Sequence, residues 1–324
     1  MQKELVALAC SDLHINDWAK FNTNGQRTLN HFRVLSILKE RCVKHNVPLL
    51  FCGDLLHKPE NISQDLLSLL MYNFSKLKDA RFMCYAISGN HDQCNISSIK
   101  NPSPSWVNLF SEYFDWLNVL DFDQEDLSGV YQNIIVHGVP YIEHNVGLGE
   151  YLKNIDLDPN YKHILLLHTD YPGAKDCDGR IIDSVENLNL NMLNRFDLVL
   201  CGHIHKPQRL SKKVYMLGAP LQQRRTDRGN DLGYWEIYSD MSVKFKSLEG
   251  FPQFIDVENE DDIKDDDNYY TVIPKKTSIE VNNKHKISKQ LSKKTLARKY
   301  LREKGIKDKS KKDLLIKVLQ KAES

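Results

Sequence analysis

Asp12 and His14 stand one residue apart where an apolar run, LVALACS, gives out, and four further polar clusters repeat that placement. Asp54 and His57 follow PLLFCG within the segment G-D-L-L-H. Asn90, His91 and Asp92 follow RFMCYAIS as G-N-H-D. His168 closes HILLLH, and His203 and His205 follow DLVLCG as G-H-I-H. Residues one apart at a strand end project into the same crevice, so D-x-H and H-x-H are natural bidentate metal clips. Asp12, His14, Asp54, Asn90, His168, His203 and His205 together offer nitrogen and oxygen donors without a thiolate. Such a set suits manganese, iron or zinc, and a mixed imidazole and oxygen set with open positions is compatible with manganese. It holds enough groups for two ions sharing one carboxylate. Two ions roughly 3.5–4 Å apart clamp the attacking and leaving oxygens of an in-line displacement at phosphorus.

A single D-x-H, or a lone histidine, is more often structural than a ligand. Five clusters in chain order, each ending an apolar run, are a different matter. The runs alternate with segments of helical periodicity, 28–45 and 62–78, which argues an α/β layered domain. In such sheets ligands bind at the carboxyl edge of the strands, where these clusters fall. Glycines beside Asp54, Asn90 and His203 allow tight turns that bring the backbone close to the site. Residues 214–248 read as strands and turns, as in a hairpin covering one end of the sheet. Cys10, Cys52 and Cys201 lie inside the strands and are expected to pack the core. His137 and His163 read as satisfied core or edge histidines. His31, His45, His144 and His285 lie in polar contexts and are expected to be exposed.

Of the 324 residues, 41% are hydrophobic and 27% charged, as in an ordinary soluble domain. No stretch approaches the ~18 apolar residues of a membrane span. The start, MQKELVALACSDLH, puts an acid where a signal peptide needs its apolar core. Seven cysteines, without a C-x-x-C pair, point to a reducing compartment. The expectation is a cytoplasmic protein of a bacterial or phage-infected cell. The net charge of +1 conceals segregation: residues 284–324 carry 15 basic and 4 acidic side chains, the rest 29 and 39. The expected division is a catalytic domain over 1–250, a short cap and acidic linker over 251–285, and a basic helical tail over 286–324.

D-x-H, G-D-x-x-H, G-N-H-D, a strand-end His and G-H-x-H, in this order, resemble the calcineurin-like metallophosphoesterases. Within them the sequence is similar to the double-strand-break repair nucleases, the SbcD-type subunit and its meiotic-recombination counterpart. His57 three residues after Asp54, GHIHKPQ (202–208), LGAPLQQ (217–223) and VHGVPY (136–141) carry that finer likeness. Ile15 and Asn16 depart from the Leu-Gly that usually follows D-x-H. The resemblance spans roughly residues 1–254 and implies a layered β-sandwich flanked by helices. It also implies one metal on Asp12, His14, Asp54 and His205, and a second on Asp54, Asn90, His168 and His203. His91, oriented by Asp92, would protonate the leaving oxygen or stabilise its charge, and His57 would face the substrate phosphate. Relatives pair into dimers through helices matching 28–45 and 62–78, where Leu69, Leu70, Met71 and Phe74 leave apolar surface to spare.

In the tail, Leu314, Leu315, Val318, Leu319 and Ala322 recur at helical spacing. The resemblance implies docking on an SbcC-type, SMC-like ATPase; a SAP-type DNA-binding helix pair is the other functional reading, and a merely solubilising tail the bland one. The expected activity is a two-metal DNA nuclease, exonuclease or endonuclease, in repair and recombination. A stand-alone phosphatase or cyclic-nucleotide phosphodiesterase is the enzymatic rival, favoured by the acidic main domain. A metal-free DNA- or ATPase-binding scaffold is the non-enzymatic one, and intact Asp12, Asn90 and His91 count against it.

Overall fold

The structure, a computed structural model, describes residues 3–22, 25–57, 62–127, 133–188 and 190–273. The chain divides into two compact units, Met1–Pro274 and Lys275–Ser324. The tail expectations, with His285, lie outside the described residues.

The first half contributes β1 (Leu5–Cys10), α1 (Gln26–His45), β2 (Leu49–Cys52), α2 (Gln64–Lys76), β3 (Cys84–Ile87), α3 (Trp106–Ser111) and β4 (Leu117–Val119). Then follow β5 (Gln124–Asp126), β6 (Ile134–Val139), α4 (Leu148–Asn154), β7 (Lys162–His168), α5 (Leu190–Leu193), β8 (Leu198–Gly202), β9 (Gln208–Arg209) and β10 (Val214–Met216). The last strands are β11 (Gly233–Tyr238), β12 (Val243–Ser247), β13 (Phe254–Val257) and β14 (Tyr269–Val272). One six-stranded sheet runs β12-β11-β1-β2-β3-β4 and the other β5-β6-β7-β8-β10-β9. β1 to β4 are mutually parallel, as are β6, β7, β8 and β10. Their carboxyl ends therefore gather at one edge of each sheet.

Strand periodicity explains the layering, because successive side chains leave a strand on opposite faces. Leu49 and Phe51 pack under the helices, whereas Leu50 and Cys52 enter the core between the sheets. Ile164 and Leu166 meet them there, while Leu165 and Leu167 face the outer cluster with Leu148 and Leu152 of α4. Both faces of each sheet are covered, so its strands read as near-continuous apolar runs. α1 buries Phe32, Leu35, Leu38 and Cys42 at helical spacing and ends on Asn46 in the left-handed region, at φ 55°. α2 is capped by the Ser63 hydroxyl, which accepts from Leu66 N at 3.0 Å. The layered α/β sandwich flanked by helices is thus as expected. All seven cysteines are unpaired, and Cys10, Cys52 and Cys201 are buried in the core. Among the described residues no helix is long and apolar enough to cross a membrane.

Several local expectations change. β3 is four residues, because Phe82 N bonds Asp79 O and the preceding segment turns. Residues 214–248 do not cover a sheet end: β10 joins the second sheet, and β11 pairs antiparallel with β1 as part of the first. β1 has an open edge that must be hydrogen-bonded, and β11 supplies it. In α2, Leu70 and Phe74 are core residues rather than spare surface, and Phe74 sits edge-on to Phe110, Phe114 and Trp116. Met71 remains exposed, beside Tyr72.

His31 is buried, against expectation. One turn beyond Arg27 on α1, it borders a small cleft shared with Leu221, Gln222, Pro252 and Tyr269. Burial and the Arg27 charge push its pKa down to about 4. An unfolded imidazole titrates near 6.5, so between pH ~6.5 and ~4 the unfolded chain binds more protons. This contribution to stability is whole above that window and is lost as pH falls through it. Going from pH 7.5 to pH 5 should cost about 2 kcal/mol through His31 alone. Urea midpoints of the wild type and His31→Gln at both pH values check this: the variant should lose less on acidification, and an equal loss refutes it.

Candidate metal centre

The carboxyl ends of β1, β2, β3, β7 and β8 bring the predicted residues together. Asp12, His14 and His205 form one group whose ligand atoms lie within 4.8 Å, and Asp54, His168 and His203 form another. Asp54 stands between the groups, with Oδ2 3.5 Å from His14 Nε2 and 3.3 Å from His168 Nε2. Asn90 joins the second group, its Oδ1 3.1 Å from His168 Nε2 and 3.0 Å from His203 Nδ1. Asp12, His14, Asp54 and His203 all have positive φ, between 50° and 93°. Four non-glycine residues in that region mark backbone strain concentrated at one site. A Cβ on Gly89 would lie 2.1 Å from Asp54 Oδ1, so only glycine lets the third loop approach the carboxylate.

The hydrogen bonds fix which ring nitrogens face inward. His168 Nδ1 lies 2.7 Å from the Cys52 carbonyl, which can only accept, so Nδ1 carries the hydrogen and Nε2 presents a lone pair. His205 Nδ1 is likewise held by Asp227 at 3.0 Å, leaving its Nε2 3.0 Å from His14 Nε2. With Nδ1 of both rings anchored outward, His168 Nε2 turns toward Asp54 and His205 Nε2 toward Asp12 and His14, the arrangement of a cation site with its outer contacts in place. In competition with a cation, the same carboxylates favour a proton on the rings. Burial alone would depress His168, but the Asp54 charge outweighs it and raises the ring to about 9. Burial would likewise lift Asp54, yet the charges of His168 and His14 hold it well below the carboxylate range. Asp12 is raised by burial, and its carboxylate accepts from Ser11 Oγ at 2.5 Å and from His203 N at 3.0 Å.

The three residues expected to act on substrate fall differently. His91 and His57 stack at 4.7 Å with an interplanar angle of 23°, both beside His14. His91 donates from Nδ1 to the His57 carbonyl at 2.6 Å, and its backbone N–H donates to Asp54 Oδ1 at 2.8 Å. Asp92 does not orient His91. Its carboxylate accepts from Gly89 N at 2.9 Å, Leu56 N at 2.9 Å and Leu55 N at 3.3 Å, which ties the third loop to the second. Burial and the Asp54 charge lift Asp92 to about 7. It is a positioning residue for backbone, not for the ring. His57 lies at the mouth, 4.0 Å from the Trp18 ring, beside a pocket of about 210 Å³.

Three contacts escaped the sequence reading. Asp227 holds His205, Asp170 lies 3.6 Å from His203 Nε2, and Tyr141 stacks on His203 at 5.9 Å. Tyr141 falls inside VHGVPY, which offered a signal; Asp227 falls in a polar run without one.

A helix-covered double sheet with this centre at its strand ends defines a metal-dependent hydrolase of phosphoester bonds. The family model described as calcineurin-like phosphoesterase matches residues 5–207, and the chain belongs to that family. Among solved structures, a dimetal phosphatase from Danio rerio is similar at 12% identity and a TM-score of 0.46, covering 76% of this chain and 97% of its own. A second crystal structure is similar at 12% identity and a TM-score of 0.45, covering 76% of this chain and 99% of its own.

Proposed function

We propose that the chain is a DNA nuclease that hydrolyses phosphodiester bonds with two divalent ions, as the catalytic subunit of an SbcCD-like repair or recombination complex. Asp12, His14, Asp54 and His205 would hold one ion, and Asp54, Asn90, His168 and His203 the other, with manganese a choice compatible with the donor set. Ions so held polarise a phosphoryl oxygen and lower the pKa of the attacking water. The chain's own groups do the rest. His91, anchored through Nδ1, keeps Nε2 for the leaving oxygen, and His57 borders the mouth where a diester's second substituent must pass. The observation that carries this reading is the His57–His91 stack: a second imidazole suits a phosphate that bears a chain on both sides.

In this reading the protein is cytoplasmic, pairs into a homodimer through α1 and α2, and docks residues 286–324 on an SMC-like ATPase. The phosphatase reading keeps one observation in its favour: residues 1–283 carry ten more acidic than basic side chains, which repels polyanions. Purified protein with manganese, given labelled duplex and single-stranded DNA alongside mono- and bis-p-nitrophenyl phosphate, separates the two. DNA and diester cleavage are expected; monoester hydrolysis without DNA cleavage overturns the nuclease. Deleting 286–324, or combining Leu315→Asp with Leu319→Asp, should abolish co-purification with the ATPase yet leave cleavage of short DNA intact. Full ATPase affinity in the deleted protein would sink the docking. If the tail grips phosphates instead, deletion will weaken DNA binding and flatten its salt dependence.

A further inference from the structure

A cavity of about 850 Å³ opens on the outer side of the second sheet, between β6, α4 and the segment around Ile99. It shares no lining residue with the metal centre. Its size is that of small-molecule sites, ~300–1,000 Å³. Phe122 and Tyr151 meet edge to face at 5.3 Å on its wall, and Ile99 and Ile155 add apolar surface. Phe122 is held at φ 63°, a conformation bulky side chains seldom adopt, while its N–H donates to Gly138 O. Three carboxylates, Asp123, Glu150 and Asp156, face it against one lysine, Lys100.

A buried imidazole completes the lining. His137, 3% exposed, bonds through Nε2 to His163 Nδ1 at 2.9 Å. His163 Nε2 in turn lies 2.9 Å from the Asp158 carbonyl, which can only accept. The hydrogen on His163 Nε2 leaves its Nδ1 to accept from His137 Nε2–H. His137 Nδ1 is then a lone-pair acceptor with no partner among the described residues. Burial, reinforced by His163, holds the His137 pKa down to about 4, so the ring stays neutral at pH 7.

Acceptors and negative charge outnumber donors, and the walls are aromatic. We infer that this cavity is a binding site for a flat aromatic amine, an amino-substituted heterocycle that is neutral or cationic. Its ring lies against Phe122 and Tyr151, and an N–H donates to His137 Nδ1. The carboxylates take further N–H groups and exclude flat anions. None of this depends on the reaction assigned to the metal centre.

Titration calorimetry on the full-length protein at pH 7.5 tests it, with 2-aminobenzimidazole and adenine as probes and benzoate as a flat anion. Saturable binding of at least one amine is expected, with benzoate at least tenfold weaker. Glu150→Lys, at an exposed position, and His137→Phe should each weaken the amine about tenfold, the worth of one lost contact. His57→Ala, at the other site, should leave binding unchanged. Where His137→Phe fails to fold, Glu150→Lys and the anion comparison decide. Failure of both amines to bind at millimolar concentration, equal binding of benzoate, or loss of binding in His57→Ala alone overturns the inference.

Discussion

Asp54→Ala loses bound metal and phosphoester hydrolysis together, with the rate falling by about 10³-fold or more. Among the described residues no other carboxylate stands within 3.5 Å of both His14 and His168. Its second oxygen accepts the His91 backbone N–H, so removal also frees the third loop. Metal content after dialysis, measured beside the rate, checks this. A variant that retained its metal and half its activity would remove Asp54 from the place proposed for it between the two ions.

His91→Ala separates the two readouts that Asp54→Ala couples. It should lower the rate by about 10²–10⁴-fold, the usual worth of a positioned general acid, while metal content stays at the wild-type level. The ring meets His14 edge-on at 4.8 Å, and its Nδ1 is spent on the His57 carbonyl. Wild-type cleavage by His91→Ala under manganese would show that the leaving oxygen departs without it. Asp92→Asn offers the contrast: it should disturb the Leu55–Leu56 and Gly89 backbone, and so stability, before chemistry.

The clusters were legible because each lies at the end of an apolar run, and run ends of parallel strands must meet at one edge. Asp227 was not, since its partner His205 is 22 residues away and the RRTDRGN segment around it reads as any exposed turn. The resemblance implies that Asp92 orients His91, whereas the turn at G-N-H-D sends that carboxylate into backbone N–H groups, which no family pattern of residue types records. His31 looked exposed because Asn30, Arg27 and Gln26 surround it. What covers it comes from residues 221–222, 252 and 269, far along the chain. Periodicity reports a face, not what later arrives to cover it.

The pairing of β1 with β11 joins Leu5 to Tyr238. During synthesis β1 is therefore finished late, and one edge of it stays bare while more than 200 residues are translated. A bare strand of LVALAC is an invitation to aggregate until β11 arrives. A fragment trimmed at residue 207, where the family match stops, would keep every residue proposed to hold metal and still carry that open edge. Expression boundaries for this protein belong beyond Ser247, after β11 has covered β1 and β12 has covered β11.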